Sequence, residues 1–246
     1  MLKRGVQTVL KQFGYRLARA GEPVVPNCGL NNFFPLIKKF GFDPKHILDV
    51  GANHGSWTRD AVKYFPQAHY TLIEPQSELR ICSQDLIDRG FQIHWISAGA
   101  SDQPGMLPLY VGGHDNSSTF LRVPGTEDEL ASTINVPVRT LNEIVASSGL
   151  PVPAMVKIDA EGLDLKVLSG ASDLFGKTEI FLAEVSIGEV NFANSALAVI
   201  QKMSEAGYRL IDITDMNRSP SNGVLWLCEL VFLWTGSKLL NSAIRY

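Results

Sequence analysis

The sequence predicts an α/β fold: a mostly parallel sheet, with helices between its strands and an antiparallel strand near the C-terminus. Three observations carry this. From Asp43 onward, short apolar and often β-branched segments alternate with helical stretches, as buried parallel strands and their crossovers do. A glycine turn, "DVGANHG" (49–55), separates the first such segment from a helix. The last two strand-like segments are joined by a turn without a helix, so as neighbours they must run antiparallel.

The elements follow in order. The first twenty residues carry five basic side chains and no acid, with Val6, Val9, Leu10, Phe13 and Leu17 at helical spacing. They read as a basic amphipathic helix, weakened by Gly5 and Gly14. The preferred expectation is a helix packed on the domain with a solvated basic face. Peripheral membrane contact through residues 1–20, or a lid over an anionic substrate, is the alternative. "GEPVVPNCGLNN" (21–32) reads as a linker. The expected organisation is an N-terminal helix and linker over 1–42 and one large domain over 43–246.

Strands are expected at 46–50, 69–74, 91–97, 154–159 and 179–186, and helices at 56–65, 76–89, 141–148, 163–169 and 192–206. Pro66 stops the first helix, and "TLNE" (140–143) has capping-box spacing. Between Ser101 and Arg139 the alternation breaks. "GMLPLYV" and "NVPVRT" look like extra strands around a polar loop, "GGHDNSSTF" (112–120), suited to a substrate lid or a plain surface excursion. "YRLIDIT" (208–214), a turn around "RSPSNG" and "VLWLCELVFLW" (224–234) close the chain.

Composition narrows the class. The 246 residues are 45% apolar and 19% charged, ordinary for a soluble globular chain. A net charge of −3 argues against a dedicated nucleic-acid binder. Cys28, Cys82 and Cys228 are far apart, fitting a reducing compartment and giving no metal or disulfide framework. With no continuous apolar leader, a cytoplasmic protein is expected, membrane-associated only if residues 1–20 act at a surface.

The ligand is read from the turn. In such sheets it lies at the carboxyl ends of the strands, beside the first one. Glu74 stands 23 residues after Gly51, where an acid commonly accepts hydrogen bonds from ribose hydroxyls. Asp49 would repel a pyrophosphate laid across the turn. It would attract S-adenosylmethionine, which has a sulfonium and an ammonium and no phosphate. Gly51 suits the tight turn, Gly55 a close approach, and Asn53 a left-handed backbone.

These residues resemble the FkbM family of S-adenosylmethionine-dependent methyltransferases. "DVGANHGSWT" is similar to its first signature, and "KIDAEGLDLKVLSG" (157–170) to its third. "FP" (65–66), "IEP" (73–75), "AEV" (183–185) and "GYRL" (207–210) match weaker features. The likeness runs from about Ile47 to Leu210, with Asn142 standing where the family usually has aspartate. It implies the Rossmann-like seven-stranded methyltransferase fold. It also implies S-adenosyl-L-methionine held by Asp49, Gly51, Asn53, Gly55, Trp57, Thr58, Glu74, Pro75, Ala98 and Asp159.

The expected activity is O-methyl transfer to a hydroxyl of a sugar, glycan or related natural product. The base candidates are Asp159, Glu161, Glu184 and His54. Each has a structural alternative: Asp159 binding the cofactor's ammonium, Glu161 capping the helix at 163–169, Glu184 pairing with Lys157, His54 at the surface. Asp159, Glu161 and Glu184 could instead hold Mg²⁺, but no acid-rich spacing demands it, and a metal-free site is preferred. A non-catalytic cofactor-binding module is the alternative function. An NAD-dependent oxidoreductase is disfavoured by Asp49 and the missing second glycine.

Overall fold

The computed structural model describes residues 29–112, 118–121, 130–188, 194–219 and 221–239. The basic segment 1–20, Cys28, and residues 113–117 of the polar loop lie outside them.

In chain order the elements are α1 (Leu30–Lys39), β1 (His46–Val50), α2 (Ser56–Ala61), β2 (His69–Ile73), α3 (Gln84–Asp88), β3 (Gln92–Ile96), β4 (Gly99–Ala100), β5 (Gly105–Gly112), β6 (Leu130–Arg139), α4 (Leu141–Ser148), β7 (Met155–Ile158), α5 (Asp164–Ser169), β8 (Ile180–Ser186), α6 (Ala196–Glu205), β9 (Tyr208–Arg218) and β10 (Leu225–Trp234). Seven strands form one sheet in the order β3-β2-β1-β7-β8-β10-β9. All pairs are parallel except those of β10, which runs antiparallel to both β8 and β9. The expected sheet with its late antiparallel strand is therefore present. The order reverses at β1, which has β2 on one side and β7 on the other, so this is the switch point.

The sheet is covered on both faces, as a parallel sheet must be. Alternation along β1 sends Leu48 and Val50 to a core shared with α4, α5 and α6, while Ile47 faces a second core with α1, α2 and α3. The capping box is formed: Glu143 N–H donates to Thr140 Oγ1 at 3.1 Å and Thr140 N–H to Glu143 Oε2 at 3.2 Å. Asn142 binds Ser172 Oγ at 3.0 Å and accepts from Asp173 N–H at 3.1 Å. Its departure from the family pattern thus ties α4 to the 3₁₀ turn at Ser172–Leu174.

Several expectations need correction. The linker reading of 21–32 runs too far, because α1 opens at Leu30. Phe34 is fully buried edge-on against Trp57, at 5.5 Å, and Phe65, at 5.7 Å. Burying one such ring is worth roughly 1.5–3 kcal/mol, which docks α1 against the sheet. The single helix expected at 76–89 is a 3₁₀ turn (Ser77–Ser83) followed by the short α3. Glu74 accepts the Gln76 N–H and fixes the chain there before a helix can start. The helix expected from 192 begins at Ala196, because Ser195 caps it by accepting from Ala198 N–H. The excursion at 101–139 does not join the main sheet; β4, β6 and β5 form a separate three-stranded one.

Among the described residues, Cys82 is half-buried and Cys228 buried, neither in a disulfide, and no helix is long and apolar enough to cross a membrane.

His46 gives the fold a pH dependence. It opens β1 and is buried, with Nε2 bonded to Thr71 Oγ1 at 2.8 Å and Nδ1 to the Pro151 carbonyl at 2.7 Å. Burial lowers its pKa despite the Pro151 bond, and His69 and His94 lower it further. The unfolded chain therefore takes up the proton first. This contribution is full above the ordinary value near 6.5 and is lost as pH falls through it toward the folded value. In thermal melts from pH 8 to 5, the Tm advantage of the wild type over His46→Gln should shrink below pH 6.5.

Candidate active site

A cleft of about 640 Å³ opens at the carboxyl ends of β1, β2, β7 and β8, within the usual range for ligand pockets of roughly 300–1,000 Å³. One half lies over the glycine turn, with Gly51, Asn53, Glu74 and Pro75. The other lies over β8, β10 and β9, with Glu184, Glu229 and Thr214, and α1 adds Leu30 and Asn31.

The turn is shaped by its glycines, though not as spacing suggests. Gly51 has φ 74°, and a Cβ there would lie 1.7 Å from the Asp159 carbonyl oxygen. Gly55 has φ 75° but open space, the nearest atom being 3.8 Å away. The close approach is therefore at Gly51, while Gly55 serves its left-handed backbone. Asn53 is left-handed too, at φ 47°, as expected. Its amide Oδ1 accepts the His54 N–H at 2.7 Å, a local bond that offsets the strain.

Glu74 directly follows β2, with both oxygens engaged: Asn53 N–H donates to Oε2 at 2.9 Å and Gln76 N–H to Oε1 at 3.0 Å. Burial raises its pKa, while these bonds oppose the rise. Each carboxylate oxygen has a second lone pair to offer the cleft. Trp57 is 9% exposed on the cleft wall, and its indole N–H has no partner among the described residues.

Asp49 lies behind the turn and not on the cleft wall. It is fully buried, accepts from Thr58 Oγ1 through Oδ2 at 2.6 Å, and leaves Oδ1 without a partner among the described residues. Burial raises its pKa. It stands opposite Lys157 in the β1–β7 register. Thr58, Gly55 and Ala98 also lie off the wall, where Gly99 and Ala100 line it instead. His54 is half-buried at the turn and likewise off the wall.

The acids meet on the far half. Lys157 Nζ pairs with Asp159 Oδ2 at 2.8 Å, so Glu184 is not its direct partner. Burial opposes the lysine's charge, but Asp159, Asp49 and Glu229 outweigh it and hold the ammonium above its ordinary range. Glu161 does not cap α5. The early Leu165 N–H of that helix is accepted instead by Asn194 Oδ1 at 3.1 Å, while Asp164 accepts the Ala160 N–H at 2.9 Å and the Asn194 amide at 2.8 Å. Desolvation by the surrounding walls, then Asp159 and Asp164, push Glu161 up to about 8. The residue as a whole is exposed at the cleft, so solvent screens the shift until the cleft is filled. Burial, then Asp159 and Glu161, push Glu184 up to about 9.

Glu229 and its partner Thr214 were not anticipated. Thr214 Oγ1 donates to Glu229 Oε1, and burial pushes this carboxyl up to about 7. The available signal was one acid inside the apolar run 224–234; an acid there must find a partner or a cleft.

The Methyltransferase FkbM domain model matches residues 49–210, from Asp49 through the third motif to the start of β9. The chain belongs to the FkbM methyltransferase family. It is thus an S-adenosylmethionine-dependent methyltransferase by class, with the seven-stranded order of that fold.

Solved structures similar to it include a Methyltransferase FkbM from Methylobacillus flagellatus KT, 15% identical, with a TM-score of 0.46. That alignment covers 76% of this chain and 43% of that one, so the chain spans less than half of that protein's length. The N-methyltransferase NodS from Bradyrhizobium japonicum is 8% identical, covers 82% and 94%, and has a TM-score of 0.48. A Burkholderia thailandensis 1,6-didemethyltoxoflavin-N1-methyltransferase, with bound 1,6-didemethyltoxoflavin and S-adenosylhomocysteine, is 10% identical, covers 95% and 87%, and has a TM-score of 0.45. No curated relative matches the sequence.

Proposed function

We propose that this FkbM methyltransferase is an O-methyltransferase acting on a hydroxyl of a sugar, glycan or related natural product. The observation that carries the reading is the polar far half of the cleft. Glu184, Glu229, Thr214, Asp215, Asn217 and Asn31 line it, giving amide and carboxylate partners for a polyol.

S-adenosylmethionine supplies an electrophilic methyl on a sulfonium. The near half fits it: Glu74 offers two oxygens to ribose hydroxyls, and Gly51, Asn53, Trp57 and Pro75 complete the wall around it. Asp49 acts from behind, holding Thr58 and biasing the field felt by Lys157. Lys157 pairs with Asp159 and holds it at the cleft wall, where it can face the cofactor's positive groups.

Glu184 is our candidate base. It lines the cleft and its side chain makes no hydrogen bond or ion pair to another described residue, so, once deprotonated, it is free to take the proton of an acceptor hydroxyl as the new C–O bond forms. Glu161 is the second candidate, at the rim. His54 is off the cleft wall, and we give it no step.

The test is calorimetric titration with S-adenosylhomocysteine and NAD, followed by radiolabelled methyl transfer to sugars and glycolipids. Binding of S-adenosylhomocysteine alone, with transfer to oxygen, is the expected result. NAD binding in its place would overturn the reading, and cofactor binding without transfer would favour a non-catalytic module. Glu74→Ala should weaken S-adenosylhomocysteine binding by about tenfold to a hundredfold, the worth of a charge-assisted hydrogen-bond pair. A melt of the free variant separates this from unfolding.

A further inference from the structure

The strand register at the far half of the cleft sets carboxylates side by side. Ile158 opposite Ala183 brings Asp159 beside Glu184; Glu184 stands opposite Glu229; Glu229 stands opposite Asp215. Four neighbouring strands thus each present an acid in one row at the cleft. Like charges directly opposite on paired strands destabilise a sheet unless something neutral or cationic intervenes. Among the described residues Lys157 is the only basic side chain on the cleft wall, and Asp159 already occupies it. Glu184 and Glu229 feel Lys157 without pairing directly with it.

Glu229 is the acid of the row set deepest in the sheet. It is only 8% exposed, yet it lines the cleft and uses Oε1 alone, on Thr214. Its Oε2 has no partner among the described residues. A buried carboxylate is kept where it has something to bind. Among the described residues, no group of three or more acids, histidines or cysteines converges as metal ligation requires. The row suits a larger cation whose donors reach several strands.

We propose that the acceptor carries a protonated amine beside the hydroxyl that is methylated, as in an amino sugar or aminocyclitol, with Glu229 and Asp215 holding the ammonium. This deepens, and rests on, the O-methyltransferase reading. Glu184 stays next to the ammonium and within the same row, where it can serve the neighbouring hydroxyl. The charge also excludes acceptors. A phosphate or carboxylate placed on this row would face three acids in a partly desolvated cleft. The proton affinities agree: Glu229 and Glu184 are pushed up to about 7 and about 9 in the free protein, so an arriving ammonium should displace protons.

The experiment uses the full chain with saturating S-adenosylmethionine. The acceptors are 2-deoxystreptamine and methyl glucosaminide, each with its N-acetylated form, and methyl glucoside and glucose 6-phosphate. Free amines should be favoured over their N-acetyl forms by about tenfold or more in kcat/KM, with glucose 6-phosphate inert. Calorimetry of 2-deoxystreptamine on S-adenosylhomocysteine-loaded protein, in buffers of different ionisation enthalpy, should show proton release. Asp215→Asn should narrow the amine preference, with the melt unchanged.

Equal use of N-acetylated and free amines overturns the inference, as does turnover of the phosphate or failure of 2-deoxystreptamine to bind. Mass spectrometry of the product separates the two readings. A methyl on nitrogen refutes the O-methyl reading and leaves amine recognition standing. A methyl on oxygen without amine preference does the reverse.

Discussion

Glu184→Gln should lower kcat by about 10²–10⁴, the usual contribution of a positioned base, while leaving S-adenosylhomocysteine affinity within a few-fold. Glutamine keeps the length and the hydrogen-bonding tip of the side chain but cannot accept a proton. The wild-type profile supplies the sharper readout. Burial and the neighbouring acids Asp159 and Glu161 push this carboxyl up to about 9 in the free protein. A base must be deprotonated to act, so kcat/KM should climb as pH rises toward 9. The donor's positive charge should move the corresponding limb of kcat to lower pH. Glu184→Gln should remove the alkaline climb as well as the rate. A mutant with wild-type kcat and the same limb would remove Glu184 from the chemistry and leave Glu161, pushed up to about 8, as the remaining candidate.

The same shift has a structural cost with a fixed sign. Glu184, Glu161 and Glu229 have folded values above their ordinary one near 4.5. The unfolded chain releases their protons first, so the stability they allow is full below 4.5 and is lost as pH rises through 7 to 9. The cleft is stabilised at low pH by holding protons and, on our reading, near neutrality by holding cations.

Local periodicity and turn chemistry made the near half of the site legible. "HILDV" and "AMVKID" are strands because they are short, apolar and bounded by turns. "DVGANHG" marks the switch point because its backbone needs left-handed residues. Thr140 and Glu143 declare a helix start by spacing alone. The far half is made of pairings between residues distant in sequence. Glu229 and Asp215 meet Glu184 only because β10 inserts between β8 and β9, and no local pattern encodes that insertion's register.

Helix α1 was missed for a related reason. Its asparagines and Pro35 resemble a loop, and its stability comes from Phe33, Phe34 and Ile37 packing on the sheet. Asp49 shows the reverse error of scale. Its charge is where the motif puts it, but the strand's alternation turns it behind the turn, so it meets Thr58 and Lys157 before any ligand.

Gly51→Ala should cost roughly 3–5 kcal/mol, from a left-handed alanine and a steric clash together. The clash is with backbone: the new Cβ would sit 1.7 Å from the Asp159 carbonyl oxygen. Backbone cannot rotate away as a side chain can, so β1 and β7 would have to part at the point where their ends form the cleft floor. At roughly 2–4 °C per kcal/mol for a chain of this size, Tm should fall by about 6–20 °C, with cofactor binding lost even in whatever protein remains folded.

Gly41→Ala isolates the conformational part. Gly41 has φ 93°, and a Cβ added there would meet nothing within 4 Å. Its substitution should therefore cost only about 1–3 kcal/mol of backbone strain and leave cofactor affinity unchanged. If the two variants melted together and both bound S-adenosylhomocysteine normally, the contact between Gly51 and the end of β7 would not be what shapes the cleft. If Gly51→Ala alone loses binding, the turn's first glycine is fixed by the strand beside it as much as by the ligand above it. Methyl donor, acceptor row and sheet would then share a single backbone contact.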